Sequence, residues 1–152
     1  MSIRIIAIGK KHQDWVNEGI KRYQSRLNRV FAIEWLVLKH SSANATLARR
    51  SESEAILSKL SDRDYVILLD EKGKMIDSPA FADLLLFNLE KSLPITIVIG
   101  GAYGVDQTLI DRANFVWSIS NLVFPHQLVR LILVEQIYRA QEINSSKPYH
   151  HS

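Results

Sequence analysis

Ile95-Thr96-Ile97-Val98-Ile99 runs directly into Gly100-Gly101-Ala102-Tyr103-Gly104. Five apolar or β-branched residues stopped by glycine describe a strand covered on both faces, followed by a sharp turn. Outward from this stretch the same alternation recurs. Towards the amino terminus, residues 3–8, 31–38 and 65–69 are further strand-like runs. Helical patterns separate them. Residues 15–27 place Val16, Ile20, Tyr23 and Leu27 on one face, and Ser51 and Glu54 form a capping box ahead of Ile56, Leu57 and Leu60, in a helix whose start can lie as early as Thr46. Ser78 caps a helix through about Asn88 with Pro79 in its first turn. Towards the carboxy terminus come a short helix over 108–113, a strand over 115–119 and a long helix from about 125 to 143. Apolar strands separated by helices are usually parallel. The expected architecture is α/β, a mostly parallel five-stranded sheet with helices on both faces, in a single domain spanning residues 1–152.

Composition agrees with that size. The 152 residues are 47% hydrophobic and 23% charged, the profile of one globular domain, and need neither disulfide nor structural metal to fold. The absence of cysteine excludes thiol nucleophiles, CxxC redox chemistry, thiolate zinc and iron–sulfur clusters. No run reaches the roughly 18 apolar residues that would span a bilayer, and residues 1–4 show no signal-peptide pattern, so a cytoplasmic location is expected, with no membrane partner. Net charge is only +3, but residues 1–50 carry ten Lys/Arg against three Asp/Glu. A basic end suits a polyanion such as nucleic acid and equally suits an ordinary solvated face. Arg22, Arg26 and Arg29, at i, i+4 and i+7, would be presented together by a helix and are the candidate RNA-binding residues.

Ligands of open α/β sheets bind beyond the carboxyl ends of the strands, which directs attention to the loops after Leu69, Ile99 and Ile119. The glycine loop matches neither G-x-G-x-x-G nor a P-loop, so its glycines serve either a tight turn or close approach of a ligand. Asp70 and Glu71, flanked by Lys72 and Lys74, can act as bases or ligands, but acids so flanked in a turn are usually solvated. No metal-binding spacing is present, and no metal is expected. Residues 118–126 form an apolar exit stopped by Pro125, with His126 either a local cap or a site residue. The chain closes on Pro148-Tyr149-His150-His151-Ser152.

Together, Ile99-Gly100-Gly101-Ala102-Tyr103-Gly104, Ser118-Ile119-Ser120, Phe124-Pro125-His126-Gln127-Leu128-Val129-Arg130, Glu135-Gln136-Ile137-Tyr138-Arg139-Ala140 and Pro148-Tyr149-His150, with Ile8-Gly9-Lys10 and Leu69-Asp70, resemble the bacterial ribosomal RNA large-subunit methyltransferase H family of the SPOUT superfamily. The resemblance covers essentially the whole chain. It implies a homodimeric enzyme with a carboxy-terminal trefoil knot, methylating N3 of a 23S rRNA pseudouridine with S-adenosylmethionine, on the ribosome. Carried over residue by residue, the cofactor contacts fall on Leu69, Gly100, Ile119, Ser120, Asn121, Leu122, Val123 and Phe124. Many relatives have Thr where this chain has Val123, and a basic residue where it has His151.

The catalytic candidates are His150, Tyr149 and Arg139. Imidazole suits proton handling or base positioning, the phenol ring can stack on a base, and the guanidinium can pair with phosphate, cofactor carboxylate or, at i,i+4, Glu135. Two other classes remain open on the residues: a non-enzymatic RNA-binding module and an unrelated nucleotide-binding enzyme. The final helix carries one apolar arc of Val129, Ile132, Leu133, Ile137 and Ala140, and a second stripe of Leu131, Val134 and Tyr138. A two-fold partner covering that second stripe is the sequence argument for a homodimer; a neighbouring helix or a wrapped knot of the same chain is the alternative.

Overall fold

A computed structural model describes residues 3–146 and 149–150. The elements in chain order are β1 (Ile3–Ile8), α1 (Asp14–Gln24), β2 (Ile33–Leu38), α2 (Ala45–Leu57), β3 (Tyr65–Lys74), α3 (Ser78–Glu90), β4 (Ile95–Ile99), α4 (Gln107–Arg112), β5 (Phe115–Trp117) and α5 (His126–Asn144). The five strands form one parallel sheet in the order β2-β1-β4-β3-β5. β4 is central and buried along its whole length, as its uninterrupted apolar run requires.

Successive strand residues feed opposite cores. Ile3, Ile5 and Ala7, Ile67, and Ile95, Ile97 and Ile99 face one side, where Val16 and Ile20 of α1, Phe81 and Leu85 of α3, and Leu133 and Ile137 of α5 cover them. Ile6 and Ile8, Val66 and Leu68, and Val98 face the other, closed by Ile56 of α2 and Leu109 of α4. Helices therefore lie on both faces, as expected. Trp117, last in β5, stacks on Phe81 with ring centroids 4.3 Å apart and fixes the edge strand to α3.

Several element ends differ from the sequence expectation, each for a tertiary reason. α1 stops at Gln24 rather than at Leu27. The Gln141 carboxamide of α5 takes the Asn28 N–H (2.7 Å) and donates to the Arg26 carbonyl (3.0 Å), drawing the chain off the helical path. Arg22 is thus the only one of the three candidate RNA-binding arginines on a helix, and Arg26 and Arg29 lie in the connection that follows; all three are exposed. α2 begins earlier than the capping box, because Asn44 accepts the Leu47 N–H (3.0 Å); Ser51 and Glu54 lie inside the helix, and Glu54 pairs at the surface with Arg50. Asp77, not Ser78, caps α3, accepting the Ala80 N–H (2.9 Å), while the Ser78 hydroxyl donates to Gln136 (2.6 Å).

Near the functional end of the sheet, β3 continues five residues beyond Leu69. An irregularity between Leu69 and Lys74 lets Lys74 rejoin β5 opposite Trp117, and the Ser118 N–H donates to the Lys74 carbonyl (3.0 Å). β5 ends at Trp117, freeing residues 118–125 as a loop. Gly73 permits this crossing. A Cβ there would lie 2.6 Å from the Val116 carbonyl carbon and oxygen.

The second stripe of α5 is covered within the chain. Val134 is fully buried, Tyr138 nearly so and against Tyr23 of α1 (ring centroids 5.7 Å), and Leu131 lies over Gly19. Cover within the chain, the alternative that the sequence argument ranked below a partner subunit, is thus what α1 supplies for Val134 and Tyr138, with Leu131 only partly buried.

Candidate functional site

The outer half of β3 from Leu69 to Lys72 and the loops after β4 and β5 meet at the carboxyl edge of the sheet around a cavity of about 560 Å³. Convergence follows from the topology, since parallel strands place every carboxyl end on one edge and β3, β4 and β5 are all within one strand of β3. Seven of the eight predicted cofactor residues line the cavity: Leu69, Gly100, Ile119, Ser120, Leu122, Val123 and Phe124. Asn121 does not. Its exposed position lies between lining residues in a loop shaped by two local bonds, from the Ser118 hydroxyl to the Ser120 carbonyl (3.0 Å) and from the Leu122 N–H to the Ser120 hydroxyl (2.9 Å).

The glycine loop forms the opposite wall. Gly101 and Gly104 pair as an isolated bridge, and Gly104 adopts φ +76°, a backbone state that costs other residues energy. A Cβ on Gly100 would meet the Val105 side chain at 2.8 Å before anything else. The imidazole of His126, first residue of α5, lies 2.9 Å from the Gly100 carbonyl through Nε2. Burial, and secondarily the Arg130 guanidinium, hold its pKa below the ordinary 6.5, against the opposing effect of hydrogen bonds that the ring donates to the Gly100 and Ile99 backbone. The neutral ring then donates to that carbonyl and ties α5 to the glycine loop. His126 is thus a tether rather than a simple helix cap.

The three catalytic candidates gather elsewhere. Arg139 holds Glu135 of the preceding turn through Nη2 (2.6 Å) and Nε (2.9 Å), and donates through Nη1 to His150 Nδ1 (3.1 Å). The Tyr149 hydroxyl donates to Glu135 (3.2 Å), its ring faces Arg139 (4.8 Å) and meets Tyr138 edge-on (4.9 Å). Burial, followed by the Glu135 charge, pushes the Tyr149 phenol up to about 12, so it stays protonated. This cluster lies along α5, and none of its members lines the cavity. His151 lies outside the described residues.

The family model described as "Predicted SPOUT methyltransferase" matches residues 1–150. The chain belongs to this family. Curated relatives agree over nearly full length. The "Ribosomal RNA large subunit methyltransferase H" of Lactobacillus delbrueckii subsp. bulgaricus (strain ATCC BAA-365 / Lb-18) is 40% identical over 158 residues, covering 99% of each chain. The proteins of the same name from Desulfitobacterium hafniense (strain DSM 10664 / DCB-2) and Psychrobacter sp. (strain PRwf-1) are 38% and 36% identical, covering 99% of this chain and 99% and 98% of their own. The protein is therefore a SPOUT methyltransferase, an enzyme that requires a methyl donor.

The lining of the cavity fits such a donor. Leu69, Ile99, Ile119, Leu122 and Phe124 offer apolar walls for a flat ring, while residues 100–104 and 118–124 offer main-chain groups. Trp117, also in the lining, has its indole Nε1 buried with no acceptor among the described residues. Sequence reasoning underrated Asp70, Glu71 and Lys72, which border the same cavity. Asp70 bends the chain there by accepting the Lys72 N–H (2.8 Å). Their position directly after an apolar strand was the available signal. Among the described residues no group of three His, Asp or Glu side chains could hold a metal ion, and no helix is long and apolar enough to cross a membrane.

Proposed function

We propose that this SPOUT methyltransferase transfers the methyl group of S-adenosylmethionine to N3 of a pseudouridine in 23S rRNA, on the assembled ribosome in the cytoplasm, and that it acts as a homodimer. The observation that carries this reading is the convergence of the outer half of β3 and the loops after β4 and β5 on one cavity, in a chain whose full-length relatives are named as methyltransferases of large-subunit ribosomal RNA. Leu69, Gly100, Ile119, Ser120, Leu122, Val123 and Phe124 would hold the donor, with Asn121 at the lip. A carboxy-terminal trefoil knot belongs to the same reading, carried by membership of the family.

The donor supplies an electrophilic methyl on a sulfonium, so the protein's own part is alignment and stabilisation of the charge left when the N3 proton departs. Arginine has no acceptor atoms, so His150 Nδ1 must accept from Arg139. A neutral His150 then carries its proton on Nε2, which has no partner among the described residues. That tautomer donates. His150 accordingly fits a role in holding a base carbonyl, where negative charge develops as N3 loses its proton, better than a role as proton acceptor. Arg139 orients it, and Glu135 and Tyr149 orient Arg139.

A dimer is supported by position rather than by the second stripe of α5. The tail cluster does not line the cavity of its own chain, and two apolar residues at the cavity lip, Leu122 and Val123, are 69% and 83% exposed. A second copy would cover that lip and bring its His150 to it. Arg22, Arg26 and Arg29 are exposed and available to phosphates.

Calorimetric titration with S-adenosylmethionine, and mass spectrometry of rRNA from a deletion strain with and without the restored gene, test the reading. Absence of binding, or unaltered pseudouridine methylation in the deletion strain, would overturn it. His150→Ala should lower turnover by roughly a hundredfold while leaving donor affinity and melting temperature near wild type; normal turnover would remove His150 from the mechanism.

A further inference from the structure

A second cavity, of about 620 Å³, shares Gly101, Ala102 and Tyr103 with the first and extends to the loop after β1. Two buried side chains of opposite charge line it without pairing. Glu52 of α2, 5% exposed, accepts the Ser41 N–H through Oε2 (2.7 Å), and its Oε1 has no partner among the described residues. Arg130 of α5, with no exposed surface, donates through Nη1 to the Lys10 carbonyl (2.8 Å) and to His12 Nδ1 (3.3 Å). Its Nε and Nη2 have no partner among the described residues. These two atoms form one edge of the guanidinium, with parallel N–H bonds, the fork that grips an oxygen-bearing group side-on.

Buried polar atoms of native proteins are almost always satisfied, and charged ones left alone are the costliest exceptions. Glu52 and Arg130 do not form an ion pair with each other, and glycine backbone lies against each of them. Gly101 lies against Glu52 and Ile8, and Gly9, at φ +135°, lies beside Arg130 Nη2, where a Cβ would stand only 3.3 Å away. One ligand could supply both needs if it carried an acceptor for the fork and, next to it, an N–H for the carboxylate. The surroundings favour a flat ring. His12, itself edge-on to Trp35 at 4.5 Å, His126 and Tyr103 contribute to the lining, and Lys10 and Lys11 are exposed at the rim.

We propose that this second cavity holds a nucleobase of the RNA substrate that presents an N–H beside a carbonyl, as uracil and guanine do and cytosine and adenine do not, with Arg130 gripping the carbonyl and Glu52 accepting the N–H. Lys10 and Lys11 would then meet the adjoining phosphates. The proposal rests on the reading of the substrate as RNA. It adds a base-selecting site beside the methyl-transfer cavity, in which Glu52 and Arg130 determine which base is admitted.

The test is nuclear magnetic resonance of the intact protein, following the Arg130 Nε–H signal, assigned with Arg130→Lys, during titration with uridine 5′-monophosphate, cytidine 5′-monophosphate and ribose 5-phosphate. The uridine nucleotide should move that signal and bind at least about tenfold more tightly than the cytidine nucleotide, and ribose 5-phosphate should leave it in place. Glu52→Gln keeps the shape of the side chain and its acceptor for Ser41 but turns the free acceptor into a donor, so it should invert the preference towards cytidine. Equal binding of the two nucleotides, an equal response to ribose 5-phosphate, or an unchanged preference in a folded Glu52→Gln protein would overturn the proposal. The wild-type titration decides by itself if the variant does not fold. Ribosome methylation and S-adenosylmethionine binding measured on the same preparation separate the two readings: a methylating enzyme without uridine preference overturns the base site alone, whereas loss of donor binding overturns the proposed function and leaves the nucleotide titration intact.

Discussion

Gly73→Ala probes the crossing on which the first cavity is built. The new Cβ would sit 2.6 Å from the carbonyl carbon and oxygen of Val116 and 2.7 Å from the Trp117 nitrogen, all main-chain atoms that no rotamer change can move. Ordinary contact begins near 3.4 Å, so β5 must retreat from β3 by about 0.8 Å. Overpacking of this kind costs about 1–3 kcal/mol. Retreat also weakens the bond from the Ser118 N–H to the Lys74 carbonyl, worth about 1 kcal/mol net. The stiffer unfolded chain returns somewhat less than about 1 kcal/mol. The expected loss is about 1–3.5 kcal/mol, a fall in melting temperature of roughly 2–14 °C for a chain of this length. Because Trp117 and Ser118 line the cavity, affinity for S-adenosylmethionine should fall with it. Urea unfolding, thermal melting and calorimetry measure the three quantities. Gly104→Ala is the control, because its Cβ would meet nothing within 4 Å and the cost there is only that of φ +76° in a non-glycine residue, about 1–2 kcal/mol. Stability of Gly73→Ala within 0.5 kcal/mol of wild type, or donor affinity no lower than in Gly104→Ala, would refute the reasoning about the crossing.

Val134→Glu should unfold the subunit, at a cost above about 4 kcal/mol, because α1 and the sheet leave no water for the carboxylate; circular dichroism of a folded monomer would restore the partner-interface view of this stripe. His126 and His12 both have pKa values held below 6.5, chiefly by burial and then by Arg130. The folded protein therefore binds fewer protons than the unfolded chain in that range, so stability is complete above pH 6.5 and is lost as the pH falls through the lowered folded-state values. Melting curves from pH 7.5 to 5 should show this fall, and His126→Gln should reduce it; a flat profile would contradict the buried, neutral imidazoles. Replacing Arg22, Arg26 and Arg29 together by Glu should weaken ribosome binding at low salt and flatten its salt dependence while leaving donor affinity unchanged; intact ribosome binding would remove this surface from the model.

Strand identity was legible wherever residues were apolar on both faces. Ile95–Ile99 and Ile3–Ile8 could be read to the residue, because a strand with helices on either side has no polar alternation to blur it. From parallel strands and their carboxyl ends, the three segments that line the first cavity also followed, without any contact being known. Helix ends were less legible. The end of α1 depends on Gln141, more than a hundred residues away, and the start of α2 on a side-chain cap that competes with another plausible one.

Other features depended wholly on the tertiary structure. The extension of β3 past Asp70 reads as a loop in sequence, since its charged residues are exposed, and only its pairing with β5 across Gly73 makes it a strand. The second stripe of α5 has the composition of an interface, and hydrophobic pattern alone cannot say whether the covering surface belongs to the same chain; α1 supplies it. Glu52 looks like a surface residue of an amphipathic helix and Arg130 like one cation among many. That both are buried, line one cavity and keep atoms without a partner among the described residues arises because the fold brings α2, α5 and the turns after β1 and β4 together, and proximity between distant segments is set by packing, on which local sequence pattern is silent.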